Sequence, residues 1–359
     1  MIKGKIKSLN SKYFPQHLFY APEWLVLGVN NACNLHCKMC DVGVGYTSSN
    51  FATNLLGSKP LNMPIDLLKK VIDETATYFP HTKLGYASTE PLVYTYLEES
   101  LKYAQYKNLY TAITTNALVL PQKAKMLCEA GLNEISISLD GTQNVHNEIR
   151  GNAKSFQQAI KGIEALLEEK NTPDISVYFV ITEWNIDEMV TFAEFFKPYP
   201  LKRLGFMHTN FTTKAGAELH NSIWGEHYHA TLSNTQEINV EQMNLPHLMG
   251  IINQIKQSQY PYEITFSPNI TSLQALEKYY LKPELFYGNK CHDVNRNIMI
   301  KSDGSVIPSH GRCYNLTIGN LYQQNLKEVW NSDIIKKLRT DLNKAGGLFP
   351  ACSRCCSAL

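Results

Sequence analysis

The sequence predicts an α/β protein, a partial (β/α)6 TIM-type barrel followed by a small Cys-rich module of hairpin plus helix. Between about Trp24 and Asn269, short β-rich apolar stretches alternate with longer amphipathic ones, as repeated βα units on a parallel sheet require. Beyond Gly288 that rhythm stops, and five of the nine cysteines gather in the remaining tail. A chain of 359 residues also suits one barrel of about 250 residues with one satellite module.

The strand candidates are residues 25–30, 84–87, 110–115, 134–139, 175–181, 203–208 and 263–267. Between them, residues 66–79, 96–105, 121–130, 156–169 and 186–196 carry apolar side chains at helical spacing, with Leu67, Val71, Ile72 and Thr75 on one face of the first. This gives six or seven βα units in a barrel domain over 21–270, after an N-terminal extension over 1–20. Residues 209–258 break the rhythm: they are long, polar and rich in aromatic and histidine residues (His220, Trp224, His227, Tyr228, His229). They read as a lid or substrate-facing insertion, or as a solvated excursion. The Cys-rich module occupies 285–359 and contains a hairpin over 298–306 that turns at Ser302-Asp303-Gly304.

Composition narrows the function. With 44% hydrophobic and 18% charged residues, the chain is not mainly disordered. A net charge of +2 provides no basic stripe to track phosphates, so nucleic acid is not an expected partner. No apolar run of about 18 residues and no signal-peptide h-region is visible, so no membrane association and a cytoplasmic location are expected. Cysteines grouped in clusters point to metal ligation in a reducing compartment more than to disulfides.

The most informative group is Cys33, Cys37 and Cys40, a CxxxCxxC run directly after the first strand. In such barrels the βα loops at the C-terminal strand ends gather the chemistry, and the triplet falls there. Three close thiolates can hold three corners of an iron-sulfur cube and leave one iron without a protein ligand, whereas fully ligated clusters take four Cys. With a distant fourth ligand they could instead form a zinc site. The spacing resembles the signature of the radical S-adenosylmethionine (SAM) superfamily. That resemblance implies a 4Fe-4S cluster whose open iron binds the amino and carboxylate groups of SAM, and reductive cleavage of SAM to a 5′-deoxyadenosyl radical.

Other strand ends extend the resemblance over about residues 20–210. Ser88-Thr89-Glu90-Pro91 stands where the family has Gly-Gly-Glu-Pro, and this places Glu90 near the cofactor amino group. Thr114-Thr115-Asn116-Ala117 is similar to the family's Thr-Asn-Gly turn, which adds Asn116 as a cofactor contact. Ser136-Ile137-Ser138-Leu139-Asp140-Gly141 implies that Ser138 and Asp140 approach the cofactor, although Asp-Gly is also a common turn. The stretch from His146 to Gly151 implies an arginine, Arg150, near the cofactor carboxylate, a role suited to its planar fork. Asn185, His208 and Asn210 sit at strand ends where side chains could face a substrate. Cys128 lies within a helical apolar face and reads as core.

In the tail, Cys291, Cys313, Cys352 and Cys355 form a second candidate ligand set, with Cys356 spare and His310 as a possible substitute ligand near Ser309. The surrounding Ile318-Gly319-Asn320-Leu321, the stretch 326–330 and Leu338-Arg339 resemble the SPASM and twitch tails of the same superfamily. This implies an auxiliary 4Fe-4S cluster; a structural zinc is the alternative from Cys count alone. Taken together, the resemblance implies a radical SAM enzyme that oxidises or epimerises a small metabolite or sugar-like substrate, assisted by the auxiliary cluster. A maturase acting on a ribosomally made peptide is the alternative, and a non-catalytic zinc or electron-carrier protein the remote one. Only some twenty residues precede the first strand, which tilts the expectation away from peptides. A reducing partner such as flavodoxin or ferredoxin is implied.

Overall fold

Seven strands run parallel in chain order: β1 (Trp24–Leu27), β2 (Lys83–Tyr86), β3 (Thr111–Thr115), β4 (Glu134–Ser138), β5 (Asp174–Ile181), β6 (Arg203–His208) and β7 (Glu263–Ser267). The computed structural model describes residues 7, 9–10, 12–14, 16–56 and 61–358, so part of the extension over 1–20 lies outside the described residues. Each parallel pair needs a crossover, and helices supply it: Ile65–Tyr78, Leu97–Tyr106, Leu120–Glu129, Ser155–Leu167, Met189–Phe195 and Leu245–Gln257.

Burial alternates along the strands with the two-residue period of the pleat. Leu25, Leu27, Leu84, Ile113, Ile135, Ile137, Phe179, Phe206 and their like are nearly fully buried in one continuous core with the helices. On the other face stand Gly85, Ala112, Thr114, Ser136, Ser138, Val180 and Met207, all partly or fully exposed. Most of these residues are small, so the inner face of the curved sheet stays partly open as a hollow.

The Cys-rich module does not stand apart from this sheet. Its strands are β8 (Asn297–Ile300), β9 (Ser305–Pro308) and β10 (Gly319–Asn320). β8 pairs in parallel with β1, Trp24 opposite Asn297 and Leu27 opposite Ile300. β9 returns antiparallel to β8, and β10 to β9, which makes ten strands in the order β10-β9-β8-β1-β2-β3-β4-β5-β6-β7. The hairpin turn is the expected one: Gly304 takes φ +81 and Asp303 Oδ1 accepts from the Ser305 amide at 3.0 Å. Helices Leu326–Trp330 and Asp333–Lys344 follow, the first opened by a capping box of Asn325 and Glu328. Trp330 is 1% exposed and donates its indole N–H to Tyr20 O at 2.7 Å. Asn331 exchanges hydrogen bonds with the Leu18 backbone. The tail thus clasps the N-terminal segment.

Two differences from expectation have local causes. Gln143–Arg150 is a helix of its own, ended by Gly151 at φ +66; it is too short and polar for periodicity to signal it. Residues 209–258 contain helices Lys214–Trp224 and Leu245–Gln257. The second is the β6–β7 crossover, capped by Asn244 with Pro246 in its first turn, and it buries Leu248, Ile251, Ile252 and Ile255. Among the described residues no helix is long and apolar enough to cross a membrane.

Crossover helices Leu120–Glu129 and Ser155–Leu167 approach closely because Gly162 faces Leu120, whose Cβ would lie 2.6 Å from an added methyl. Gly162→Ala should therefore cost about 1–3 kcal/mol through overpacking despite the better helix propensity of Ala, read by urea denaturation.

Candidate active site

The triplet lies on the loop leaving β1. Cys37 is buried, Cys40 half-buried and Cys33 exposed, and none is in a disulfide. The loop winds tightly: Cys40 N–H donates to Cys37 O at 3.1 Å, and Val44 N–H to Cys40 O at 3.0 Å. Gly43 closes over Cys37, and a Cβ there would lie 2.4 Å from Cys37 O and 2.5 Å from its N. Lys38 N–H donates to Ile149 O at 2.9 Å and pins the loop to helix Gln143–Arg150. Burial pushes the Cys37 thiol up to about 11, so this sulfur becomes a thiolate only beside added positive charge. Three thiols on one wound loop, next to an unfilled hollow, fit a metal cluster with an open side.

Loop ends of neighbouring strands tie onto this one. Asn30 donates to Glu90 O at 2.9 Å, and Glu90 N–H donates to Ala32 O at 3.2 Å. The Glu90 carboxylate is fully buried. It accepts from Leu92 N–H (2.9 Å), Thr115 Oγ1 (2.7 Å) and Asn116 N–H (2.8 Å), stapling the β2 loop to the end of β3. The Asn116 side chain donates to Asn34 Oδ1 at 2.8 Å. Ser138 ends β4 on the half-exposed inner face.

Asp140 and Arg150 form a buried ion pair. Arg150 Nε and Nη2 reach Asp140 Oδ2 at 2.6 and 2.5 Å, while Asp140 Oδ1 accepts from Val180 N–H at 2.9 Å. Arg150 Nη1 points at Cys37 Sγ, 3.6 Å away. The guanidinium thus links the carboxylate to a thiol of the triplet, where it favours the thiolate. Asn185 spends its side chain on Asp140 O, Val180 O and Thr182 N–H, so it braces this region and does not face the hollow. His208 turns away as well, against Tyr279 and Tyr280, with Nδ1 at 2.8 Å from the Tyr280 hydroxyl. Cys128 is in the core.

The second cysteine group surrounds one cavity. Cys291, Cys313, Cys352 and Cys355 all line it, together with Asn210 and Thr212 beyond β6, Phe51, and Arg312. Burial, then repulsion from its neighbours Cys352, Cys313 and Cys355, holds the Cys291 thiol well above its usual value. Cys352 is pushed up to about 12 by burial and by Cys355. Four cysteines around a common void, with burial and neighbouring thiols holding Cys291, Cys313 and Cys352 above their usual values, fit a multiply positive cluster. Cys356 does not line this cavity; its Sγ is 3.4 Å from His310 Nε2, which is also 3.8 Å from Cys355 Sγ.

Asp41, which sequence reasoning passed over, joins the two groups. It is 1% exposed, directly follows Cys40, and accepts from Ser233 Oγ (2.6 Å) and Asn234 N–H (2.8 Å). Ser233 in turn meets Arg312 Nη1 at 3.5 Å. Position next to a candidate ligand cysteine was its only sequence signal. Arg312, over the Phe51 ring at 4.3 Å, had the same one, since it directly precedes Cys313.

Arg150→Met should destabilise by about 3–5 kcal/mol by leaving Asp140 buried and unpaired, and adding Asp140→Asn should recover part of that loss in a denaturation double-mutant cycle. His208 offers a pH readout. Burial, with Lys256, lowers its pKa to about 3 in the folded state, below the 6.5 of an unperturbed histidine. The unfolded chain therefore takes up the proton first, and stability falls as pH drops from about 6.5 toward 3. The expected slope is up to about 1.4 kcal/mol per pH unit, and His208→Gln should remove that share of it.

The model of the radical SAM superfamily matches residues 28–196, and the model of the SPASM iron-sulfur cluster-binding domain matches residues 291–356. AdoMet-dependent heme synthase of Methanosarcina barkeri is 24% identical over 333 residues, 89% of this chain and 85% of that protein. Fe-coproporphyrin III synthase of the same organism is 25% identical over 204 residues, 55% of this chain and 48% of that protein. A probable GTP 3',8-cyclase of Methanosarcina acetivorans is 29% identical over 178 residues, 49% and 51% of the two chains. The chain spans about half the length of these last two relatives. Among solved structures, SuiB of Streptococcus suis bound to S-adenosylmethionine superposes with a TM-score of 0.64 at 16% identity, covering 98% of this chain and 76% of that one. The protein anSMEcpe with bound AdoMet gives 0.59 at 17% identity, covering 88% and 81%. With a cysteine triplet inside the first matched region and four clustered thiols inside the second, the chain belongs to the radical SAM superfamily, among the enzymes that pair a SAM-binding 4Fe-4S cluster with a SPASM-type auxiliary iron-sulfur domain.

Proposed function

We propose that this enzyme oxidises a small metabolite by hydrogen abstraction, with the auxiliary centre taking the second electron. The observation that carries this reading is the shared cavity: the auxiliary thiols of Cys291, Cys313, Cys352 and Cys355 face the same void as Asn210 and Thr212 beyond β6 and Phe51 beyond the triplet loop. When bound, the clusters supply one electron to cleave SAM into methionine and a 5′-deoxyadenosyl radical, and a site that accepts one electron from the substrate radical once it has lost a proton. The chain's own residues set the geometry. Cys33, Cys37 and Cys40 would hold the first cluster, Arg150 lies against Cys37, and Glu90 and Asn116 shape the adjoining wall on which Ser138 opens. Arg312 gives the cavity one cation for an anionic substrate group.

A small-molecule substrate is supported by the heme synthase, a relative aligned over 89% of this chain and 85% of its own. Modification of a peptide is the second reading, favoured by the fold shared with SuiB, whose structure has also been solved with its precursor peptide. Epimerisation would use the same hydrogen abstraction but return the electron. A low-potential flavodoxin or ferredoxin is the proposed source of the first electron.

Anaerobic reconstitution should load about eight irons per chain, two cubes of four, and the Cys33→Ala, Cys37→Ala, Cys40→Ala triple variant should lose about half of them and all 5′-deoxyadenosine formation. Incubated with SAM, dithionite and a deuterated metabolite extract, the enzyme should give 5′-deoxyadenosine that carries deuterium and a product two hydrogens lighter than its substrate. Deuterium acquired only from a peptide fraction would favour the second reading, and loading of about four irons would end the two-cluster assignment.

A further inference from the structure

A second cavity lies behind the auxiliary cysteines, outside the barrel. Cys291 is the partition, since it lines this cavity as well as the one shared with Asn210 and Phe51. The new cavity has a volume of about 440 Å³, within the range of small-ligand sites. Its walls bring together Lys7, Lys12, Lys290, Arg296 and Arg339, against a single carboxylate, Glu23. Glu23 is already shared, accepting from Lys7 Nζ at 2.7 Å and from Arg296 Nε at 2.8 Å. Lys12, Lys290 and Arg339 have no acidic partner within salt-bridge distance among the described residues.

Arg339 is the unusual member. It is 2% exposed and packs its guanidinium over Trp330 at 4.6 Å. Nε donates to Val294 O at 3.2 Å and Nη1 to Asn331 Oδ1 at 3.3 Å, whereas Nη2 is buried without a hydrogen-bond partner. A buried cation is ordinarily paired, because desolvation without a counter-charge is costly. Arg150 in the same protein obeys that rule through Asp140. The positive field reaches a neighbour: besides burial, Lys336 and Arg339 disfavour the charged form of His17.

We propose that the cavity bounded by Lys7, Lys12, Lys290, Arg296 and Arg339 binds a small, multiply charged oxyanion, phosphate- or carboxylate-bearing, as a site separate from the SAM and substrate region. Concavity and the depth of Arg339 select a small molecule over the flat acidic face of a protein. An occupant would place negative charge directly behind the auxiliary ligand Cys291, where it makes that centre harder to reduce.

The test uses the full, anaerobically reconstituted chain titrated with pyrophosphate and with citrate in a calorimeter, at fixed ionic strength set by chloride. One saturable site per chain is expected, with the stronger of the two probes naming the anion class, and Lys12→Ala with Lys290→Ala should weaken it at least tenfold. Arg339→Gln should abolish it; if that variant does not fold, the lysine pair alone decides, because both residues are exposed. The bound anion should shift the potential of the auxiliary centre downward in the wild type and not in the lysine variant, whatever the substrate of the enzyme proves to be. Heats that vanish at matched ionic strength, or equal binding by the lysine variant, would overturn the proposal, as would capture of an acidic redox protein by this face with no binding of either small anion.

Discussion

The position of β1 between two parallel partners is the constraint on which both candidate centres depend. Its backbone pairs with β2 on one edge and β8 on the other, so Leu27 is flanked by Tyr86 and Ile300. The triplet leaves the C-terminal end of β1, and the hairpin that precedes Cys313 starts with β8. Strands in one sheet sit about 4.8 Å apart and cannot slide without breaking a ladder. A module tethered by a linker would keep freedom to move relative to its neighbour. Here the two thiol groups inherit a fixed relation from one set of backbone hydrogen bonds, and the cavity of the auxiliary cysteines takes in Asn50 and Phe51 of the helix after the triplet.

Side chains reinforce what the sheet establishes. Asn54 donates to Gly311 O at 2.9 Å and to Cys313 O at 2.8 Å, joining the helix Asn50–Leu55 after the triplet to the auxiliary loop. Asp41 extends the connection through Ser233 to Arg312. These contacts are buried or partly buried, and each holds its loops together only because its partner is present. Aromatic packing of His220, Tyr228, Tyr314 and Phe349 closes the other side and explains why the histidine-rich stretch after β6 is partly buried. Its aromatic residues are packing material for the Cys-rich tail.

What the sequence made legible follows from period and proximity. Strands such as Arg203–His208 and Glu263–Ser267 were readable to the residue because apolar alternation and turn residues coincide there. The cysteines were readable as two groups because their members lie within a few residues of each other or in one short tail. Contacts made by chain crossings were not. Asp140 and Arg150 are ten residues apart and meet only because a helix folds back beneath the β4 loop, and Asn185 reaches Asp140 from another strand altogether. Side-chain direction was also invisible: His208 sits at a strand end but on the face that packs against Tyr280.

Two departures from the family pattern acquire a physical meaning in the fold. Ser88 and Ala117 stand where the resembling motifs have glycine, and they adopt φ +97 and +61, values that favour glycine. Each such residue costs about 1–3 kcal/mol and persists only where its surroundings over-determine it. The surroundings are Glu90 and Thr115. Glu90 holds three donors across the two loops, and Thr115 Oγ1 accepts from the Ala117 amide at 2.9 Å while donating to Glu90. Burial raises the Glu90 pKa, and the same three donors, with the charge of Arg150, work against that shift and favour the anion. The strained turns and the buried charge therefore support one another. Glycine's freedom is replaced here by a hydrogen-bonded staple, and the loops around the hollow keep their shape through Glu90.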